Sequence, residues 1–413
     1  MNVVINNFIT EETNRQNEGL ELIASENYVS RDIMKAQGSI LTNKYAEGYP
    51  DKRYYGGCEI IDKVEKYAIA GACELFHCNF ANVQPHSGSQ ANFAAYRALM
   101  PDGGKVLSLD LNDGGHLTHG SPVSFSSHMY TFVHYNLDKN GKIDYNELAL
   151  IINKEQPDVV LAGFSAYPYK IKFDVIRQII NKINQEKPGE PPIRFMVDMA
   201  HIAGLVAAGL HQNPCSYADI VTSTTHKTLR GPRGGLILTN SAEYAKKINS
   251  AIFPFTQGGP LMHVIAAKAI CFEEALKPEF VSYMKQVLEN TRVACEKLKS
   301  LIGNNNVSDT ENHLFLINTY DSFGLTGKEA QELLEQAGIT TNKNMIHGDK
   351  LKPSETSGLR IGFAAVTTRG CTPEIARTIA ELIFNILSKG INVYNAKVIT
   401  NEIAKNLKPI ENL

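Results

Sequence analysis

The sequence has few of the features that mark membrane, secreted or nucleic-acid-binding proteins. None of its apolar runs approaches the roughly 18 residues that a membrane span needs. The start, MNVVINNFITEET, lacks the basic stretch of a signal peptide and turns acidic early. Lysine and arginine number 41 against 43 aspartates and glutamates, so the formal net charge of −2 provides no field that attracts nucleic acid. We therefore expect no membrane and no nucleic-acid partner.

Cysteine is sparse and widely spaced. The chain has 7 cysteines, an odd number, and no C-x-x-C pair. This pattern argues against a disulfide framework and against a zinc site, so we predict no metal. Free thiols are typical of a reducing compartment, which predicts a cytoplasmic location.

Length and pattern indicate two domains. A chain of 413 residues, 43% hydrophobic and 20% charged, is typical of a globular protein too long for a single core. We predict an N-terminal arm or helical leader over 1–40, a large domain over 41–277 and a smaller α+β domain over 278–413. The predicted strands of the large domain are Lys105–Leu111, Asp158–Phe164, Ile193–Val197, Asp219–Ser223 and Gly235–Leu238.

Helical segments separate several of these strands, notably Tyr145–Asn153 and Val175–Gln185. Strands that alternate with helices predict an α/β fold with a mostly parallel sheet. The link from Lys227 to Gly235 is too short for a helical crossover, so the last strand pair is predicted antiparallel. The further elements expected after it are helices Leu261–Leu276 and Val281–Leu301, strand His313–Thr319, a helix capped by Thr326 and Glu329, strands Ile339–Asn342 and Gly358–Gly362, and a last clear helix Pro373–Lys389.

The stretch DKNGKIDYNEL (Asp138–Leu148) resembles a calcium-binding loop. An EF-hand has glycine at its sixth position and glutamate at its twelfth. Here Gly141 is fourth, and Glu147 comes too early. An Asn-Gly turn between two elements is the better interpretation.

The stretch TSTTHKTLRGPRGG (Thr222–Gly235) places Lys227 just after a buried strand. A buried ammonium is costly, so the amine either reaches water or is used in a form without free charge. The strand RFMV ends at Asp198, and QPHSGSQ places small hydroxyl residues where a helix begins. Each feature alone is more often a solvated lysine, a helix cap or a turn. Together they are the amine, the carboxylate and the phosphate-binding helix start that pyridoxal phosphate requires.

The chain also resembles a known family, the serine hydroxymethyltransferases, which are fold-type I pyridoxal-phosphate enzymes with an aspartate-aminotransferase-like fold. The matching stretches lie in the family's order along nearly the whole chain. They are ELIASEN (Glu21–Asn27), LTNKYAEGYP with KRYYGG (Leu41–Gly57), NVQPHSGSQAN (Asn82–Asn92), GGHLTHG (Gly114–Gly120), VDMAHIAGLVAAG (Val197–Gly209), TTHKTLRGPRGG (Thr224–Gly235), QGGPLMH (Gln257–His263), LTGKEA (Leu325–Ala330) and SGLRIG (Ser357–Gly362).

The resemblance implies a role for individual residues. Those implied to bind pyridoxal phosphate are Tyr45, Ser87, Gly88, Ser89, His116, Ser165, Asp198, His201, His226, Lys227, Arg233 and Gly259. Those implied to take part in catalysis are Glu47, Tyr55, Thr224, His226 and Lys227. Those implied to bind the amino-acid substrate are Ser25, Glu47, Tyr55 and Arg360, and those implied to bind tetrahydrofolate are Leu111, Gly115, His116, Leu117 and Asn344.

The implied reaction is reversible transfer of the serine hydroxymethyl carbon to tetrahydrofolate, which yields glycine, with cleavage of other β-hydroxy amino acids as a side activity. The resemblance also implies a homodimer with shared sites, in which the N-terminal arm contacts the partner and Tyr45, Glu47 and Tyr55 reach its site. Three alternatives stay open at this point: a metal pair formed by His116 and His119, an aldolase or aminotransferase on the same fold, and a regulatory or RNA-binding remnant of it.

Overall fold

The computed structural model describes residues 3–413. Its strands are β1 (Leu20–Glu21), β2 (Gly48–Tyr49), β3 (Lys52–Arg53), β4 (Phe80–Asn82), β5 (Lys105–Leu109), β6 (Thr131–Tyr135), β7 (Val159–Gly163), β8 (Arg194–Asp198), β9 (Ile220–Thr224), β10 (Gly235–Thr239), β11 (Leu314–Asn318), β12 (Ile339–Thr340), β13 (Asn342–Asn344) and β14 (Gly358–Gly362). Its α-helices are α1 (Val3–Glu18), α2 (Arg31–Gln37), α3 (Glu59–Phe76), α4 (Gly88–Leu99), α5 (Phe125–Met129), α6 (Tyr145–Glu155), α7 (Phe173–Glu186), α8 (Ala203–Ala207), α9 (Ala242–Ser250), α10 (Met262–Ala275), α11 (Pro278–Ile302), α12 (Thr319–Phe323), α13 (Gly327–Gln336), α14 (Ala364–Thr368), α15 (Pro373–Leu387) and α16 (Val393–Lys405). Among these residues, no helix has the length and apolar character needed to cross a bilayer.

The chain forms two compact units. The larger unit consists of Asp32–Ser165 and Lys170–Val281, and the smaller unit of the chain up to Arg31 with Ala166–Tyr169 and Ser282–Leu413. The N-terminal segment therefore packs within the smaller unit, where β1 pairs in parallel with β12. The predicted boundaries at residues 40 and 277, and the contact of the first 40 residues with a partner, stay predictions.

A seven-stranded mixed sheet forms the centre of the larger unit, in the order β4-β10-β9-β8-β7-β5-β6. Strands β9, β8, β7, β5 and β6 run parallel, and β10 runs antiparallel to β9 and to β4. Every residue of β7, β9 and β10 is buried, as expected for strands covered on both faces. The predicted α/β class and the antiparallel last pair are confirmed.

Local signals explain where several helices begin. The Thr326 side chain accepts from the Glu329 N–H while the Glu329 carboxylate accepts from the Thr326 N–H, which is the predicted capping box of α13. The hydroxyl of Thr372 caps α15, and Pro373 occupies the first helical position.

The calcium-like stretch forms a turn in which Asp138 accepts from the Asn140 and Lys142 N–H groups, as the Asn-Gly interpretation predicted.

The smaller unit contains an antiparallel sheet in the order β11-β14-β13. Its core is formed by apolar residues that include Phe315, Ile361 and Phe363. One prediction is wrong here: Ile339–Asn342 is not one strand. Ile339–Thr340 pairs with β1, whereas Asn342–Asn344 pairs antiparallel with β14, because the two segments take part in different sheets.

Candidate functional site

The carboxyl ends of the parallel strands carry most of the predicted cofactor residues. Strand β8 ends at Asp198, β9 ends at Thr224 with Lys227 three residues later, and β7 is followed by Ser165. The register pairs Asp198 with Thr222, so the ends of β8 and β9 lie side by side. In open α/β sheets this edge is where ligands bind, so the fold gathers these side chains where a cofactor is expected.

Helix α4 begins with an open set of hydrogen-bond donors. Ser87 has an extended backbone and its hydroxyl caps the helix by accepting from the Gln90 N–H at 3.2 Å. Ser87 and Ser89 are exposed. A Cβ on Gly88 would lie 2.6 Å from Thr224 Cγ2, so only glycine allows the helix start to approach the end of β9 this closely. Free N–H groups and the helix dipole make such a start a good site for a phosphate.

Asp198 is a carboxylate held in its ionised form. Its Oδ2 accepts from His119 Nε2 at 3.0 Å and from Asn92 Nδ2 at 2.9 Å, and its Oδ1 accepts from the Ala200 N–H at 3.0 Å. Burial opposes ionisation, but the hydrogen bond and charge of His119 and the charge of His116 hold the pKa of Asp198 well below its usual range. A carboxylate that stays negative can keep a bound pyridinium nitrogen protonated.

His119 ends the short 3-10 helix Leu117–His119, and His116 caps the start of this helix. Their ligand atoms and that of Asp198 all lie within 4.8 Å of one another. The fold therefore adds a carboxylate to the His116–His119 pair that was left open as a metal site. The 3.0 Å separation between His119 Nε2 and Asp198 Oδ2 is nevertheless an ordinary N–H···O distance, so we interpret the group as a hydrogen-bonded pair beside His116.

Lys227 is half-buried and donates from Nζ to Thr224 Oγ1 at 3.0 Å. Next to it, burial together with the cations Lys227 and Arg233 lowers the pKa of His226 to about 3, so this ring is neutral at physiological pH. Its Nδ1 accepts from the Gly234 N–H at 3.4 Å. The loop thus holds an amine beside a hydroxyl and a neutral imidazole, which suits an amine that has to react as a nucleophile.

The other predicted cofactor and folate residues of the larger unit lie in the loops after the strands. Ser165 donates its N–H to the Gly114 carbonyl at 2.7 Å. His201 is buried, and its carbonyl accepts from the Thr228 hydroxyl at 2.8 Å. Gly115 is buried where a Cβ would collide with the Leu109 carbonyl. Arg233 and Leu117 are exposed, and Leu111 is half-buried.

Tyr45, Glu47 and Tyr55 form a group at the surface of the larger unit. The rings of Tyr45 and Tyr55 meet edge to face with centroids 5.1 Å apart, and the two side chains are 54% and 47% exposed. The group lies over a glycine pair. A Cβ on Gly258 would come within 2.9 Å of Glu47 Oε1, and one on Gly259 within 3.2 Å of Tyr45 Cε1.

A buried ion-pair network fixes the loop that carries Glu47. Arg53 donates to the carbonyls of Ala46 and Gly48, which flank Glu47, at 3.0 and 2.9 Å. It also pairs with Glu65 at 2.6 Å and with Asp62 at 2.8 Å. Arg53 lies within the quoted stretch KRYYGG, but no pattern in the sequence indicates this role.

In the smaller unit, Arg360 lies on β14 and is buried. It donates from Nε to Asn342 Oδ1 at 3.1 Å and from Nη2 to Ser25 Oγ at 3.3 Å. Burial lowers the pKa of Arg360 to about 10, so the guanidinium remains cationic at neutral pH. Asn344 lies on the neighbouring β13 and donates its amide to the Met345 carbonyl at 2.6 Å. The structure thus brings Ser25 and Arg360 together.

Three further residues of the larger unit were not found from the sequence. Asn92 links Asp198 to the Thr222 hydroxyl, which donates to Asn92 Oδ1 at 2.6 Å. His119 was considered only as a metal ligand. Lys268 lies in the middle of α10 between apolar residues, and a charge at such a position was the one signal available.

A half-buried lysine, an ionised aspartate and an exposed helix start at the carboxyl edge of an α/β sheet are the combination expected of a pyridoxal-phosphate enzyme. A family model described as serine hydroxymethyltransferase matches residues 1–383. Serine hydroxymethyltransferases of Coxiella burnetii strains Dugway 5J108-111, CbuK_Q154 and RSA 493 / Nine Mile phase I are each 51% identical to the chain over 395 residues, which is 95% of the chain and 91% of each relative. The chain belongs to the serine hydroxymethyltransferase family.

Membership confirms the predicted family, reaction and cofactors. The chain is a pyridoxal-phosphate-dependent transferase that interconverts serine and glycine with tetrahydrofolate as co-substrate, in one-carbon metabolism. The family also implies the fold-type I architecture, with which the seven-stranded mixed sheet agrees.

Proposed function

We propose that serine hydroxymethyl transfer takes place at the carboxyl edge of the seven-stranded sheet, with Lys227 and Asp198 as the two groups that hold the reactive ring of the cofactor. The observation that carries this assignment is Asp198, a half-buried carboxylate kept ionised by His119 at the end of β8. A negative charge in that position is costly to maintain unless a cation pairs with it. Pyridoxal phosphate, when bound, acts as an electron sink for the charge that develops on the substrate Cα.

The remaining cofactor assignments rest on the family motifs, and the placement of several side chains supports them. Ser87, Gly88 and Ser89 hold the phosphate at the start of α4. The other residues that we assign to the cofactor are Tyr45, His116, Ser165, His201, His226, Arg233 and Gly259. Of these, His116 lies beside Asp198 and is assigned to the face of the ring.

Arg360 and Ser25 bind the substrate carboxylate in this proposal. A planar guanidinium offers two parallel N–H donors to a carboxylate, which fixes the orientation of an amino acid. Glu47 exchanges the proton of the substrate hydroxyl, with Tyr55 beside it, while Thr224 holds the Lys227 amine through the 3.0 Å hydrogen bond. Leu111, Gly115, His116, Leu117 and Asn344 are assigned to tetrahydrofolate.

Replacing Arg360 by alanine should raise the KM for serine about 10- to 100-fold with a smaller effect on kcat, because a charge-assisted hydrogen-bond pair to the substrate is lost. Lysine at this position should recover only part of the affinity, since it lacks the bidentate geometry. Steady-state kinetics with serine check this, with Arg292→Ala on the exposed face of α11 as the control. An unchanged serine KM would place the carboxylate site elsewhere.

We further propose a cytoplasmic homodimer in which Tyr45, Glu47 and Tyr55 serve the site of the partner copy. The exposure of Tyr45 and Tyr55 supports a role in contacts beyond the single chain. The N-terminal helix α1 also supports a dimer. It has no buried residue, and its apolar side chains Val3, Ile5 and Phe8 are 73%, 50% and 58% exposed. Isolated apolar faces of this kind are typical of interfaces.

Mixing two inactive variants tests the shared site. Lys227→Ala and Glu47→Gln should each be inactive alone, and unfolding and refolding them together should restore about a quarter of wild-type activity, because about half of the dimers are mixed and each has one intact site. Activity and sedimentation are measured on the same samples. If the mixture stays inactive although mixed dimers form, each site is complete within one chain.

A spectroscopic titration tests the reaction itself. Protein, pyridoxal phosphate and glycine are combined, and tetrahydrofolate is then added. We expect a long-wavelength absorbance band that depends on folate. Cleavage of β-hydroxy amino acids with no response to folate would favour the aldolase alternative, and a half-reaction that requires a 2-oxo acid would favour the aminotransferase.

A further inference from the structure

Lys268 is a fully buried cation next to the start of α4. We call the segment Ser87–Ser89 at this start the phosphate cradle. The lysine lies in the middle of α10, and only 1% of it is exposed. Its Nζ donates to the carbonyls of Val83, Gly235 and Pro85 at 2.7, 2.8 and 3.0 Å. An ammonium has three donors, so all of them are used on backbone carbonyls.

These carbonyls belong to the two segments that form the base of the cradle. Val83 and Pro85 lie in the stretch that leads into Ser87 and α4, and Gly235 begins β10. The Gly235 N–H donates to the Pro85 carbonyl at 3.0 Å, and a Cβ on Gly235 would collide with the Ser87 carbonyl. Lys268 therefore ties the start of β10 to the entry of the cradle.

The packing around the lysine is specific for its shape. A Cβ on Gly234 would collide with Lys268 Cε. The C=O and N–H groups of a trans peptide unit point in opposite directions. Because the Pro85 carbonyl points toward Lys268 Nζ, the His86 N–H of the same peptide unit points away from the lysine. That N–H donates to Gln90 Oε1 at 2.7 Å, on the side where α4 begins.

We propose that Lys268 is a positioning residue for the cofactor phosphate, which fixes the backbone of the cradle and places a positive charge beneath it. This inference rests on the proposed function, in which Ser87, Gly88 and Ser89 bind that phosphate. The lysine touches neither cofactor nor substrate, so it acts through the backbone and through its charge.

Because Lys268 acts partly through its charge, the affinity for the cofactor phosphate should depend on pH. Burial lowers the pKa of Lys268 to about 7, opposed by the charge of Glu65. A phosphate dianion bound nearby favours the protonated lysine, so binding raises this pKa and affinity falls as the pH rises above about 7. The other titratable groups near the lysine are His226 and His86, whose pKa values are both lowered, and Cys271, whose pKa burial raises. All three therefore stay neutral between pH 7 and 9.

Comparing pyridoxal phosphate with pyridoxal isolates the phosphate contribution, because both aldehydes react with the same amine. Dissociation constants are measured by absorbance at several pH values between 7 and 9 for the wild type, Lys268→Met, Lys268→Gln and the exposed control Lys246→Met. We expect the Lys268 variants to bind pyridoxal phosphate about 10- to 100-fold more weakly, with pyridoxal affinity changed less than about threefold. The ratio of the two constants should depend on pH in the wild type and not in the variants.

Two results would overturn the inference. Equal weakening of both aldehydes would show a general structural role, and a wild-type ratio that does not change with pH would remove the role of the charge even if neither variant folds. Failure of the proposed function is distinct, since the wild type would then form no borohydride-reducible adduct with either aldehyde.

Discussion

The Lys227→Ala variant should hold no cofactor that borohydride can fix to the protein, and its turnover should fall at least about 10³-fold. The amine is the group expected to bond to the cofactor aldehyde and is held by Thr224 beside a neutral His226. Its removal leaves the phosphate cradle and Asp198 intact. Pyridoxal phosphate should therefore still bind, more weakly and without a covalent bond.

Mass spectrometry after borohydride reduction measures the outcome directly. The wild type should gain one reduced cofactor on the peptide that contains Lys227. Lys246→Ala, on the exposed face of α9, is the matched control and should retain both label and activity. A label that persists in Lys227→Ala, on any other lysine, would contradict the assignment.

Much of the larger unit was predictable because its strands are short apolar runs that end in polar turns. Strands β5, β7, β8, β9 and β10 all lie within two residues of their predicted bounds. Strand β6 was missed. It is an edge strand in which only Tyr135 is buried, so its sequence TFVHY carries little of the apolar signal that reveals a central strand.

In the smaller unit, the last α-helix, α16, was not predicted. The helix Pro373–Lys389 was taken as the last clear one, yet α16 follows it, capped by Asn392. Its apolar residues do not form a clean face, since Tyr394 is 79% exposed and Val398 45% exposed. The prediction of a single strand over Ile339–Asn342 was wrong for a different reason. Here β12 pairs with β1, which is distant in sequence, whereas β13 pairs with β14, and this pairing decides which residues form each strand.

The candidate site, like the fold, was only partly predictable from the sequence. Asp198 and Lys227 could be proposed from the sequence because a charged residue at, or shortly after, the end of an apolar strand is visible there. His119 was not assigned correctly, since its partner Asp198 lies 79 positions away along the chain. Lys268 and Arg53 act on backbone carbonyls, and no pattern of residue types reveals which carbonyls a folded chain brings together.

Replacing Asp198 by asparagine should lower kcat about 10²- to 10³-fold or more, because a preorganised charge that stabilises the transition state is lost. Asparagine keeps the size of the side chain and can still accept a hydrogen bond from His119, so the fold should persist. It cannot pair as an anion with a protonated ring nitrogen. His119→Gln should have a smaller effect, since Asn92 and the Ala200 N–H still hold the carboxylate.

The pH dependence separates this role from a structural one. The folded-state pKa of Asp198 is lowered, so its ionised form contributes to stability above the unfolded pKa of about 3.9, and that contribution is lost only as the pH falls through the folded value. The deficit of Asp198→Asn should therefore be constant between about pH 5 and 8, where the wild-type carboxylate stays charged. Initial rates over that range measure it, with Asp102→Asn at the surface as the control. A deficit that vanishes toward pH 5 would mean that the wild-type carboxyl is already protonated there, which the hydrogen bond from His119 is expected to prevent.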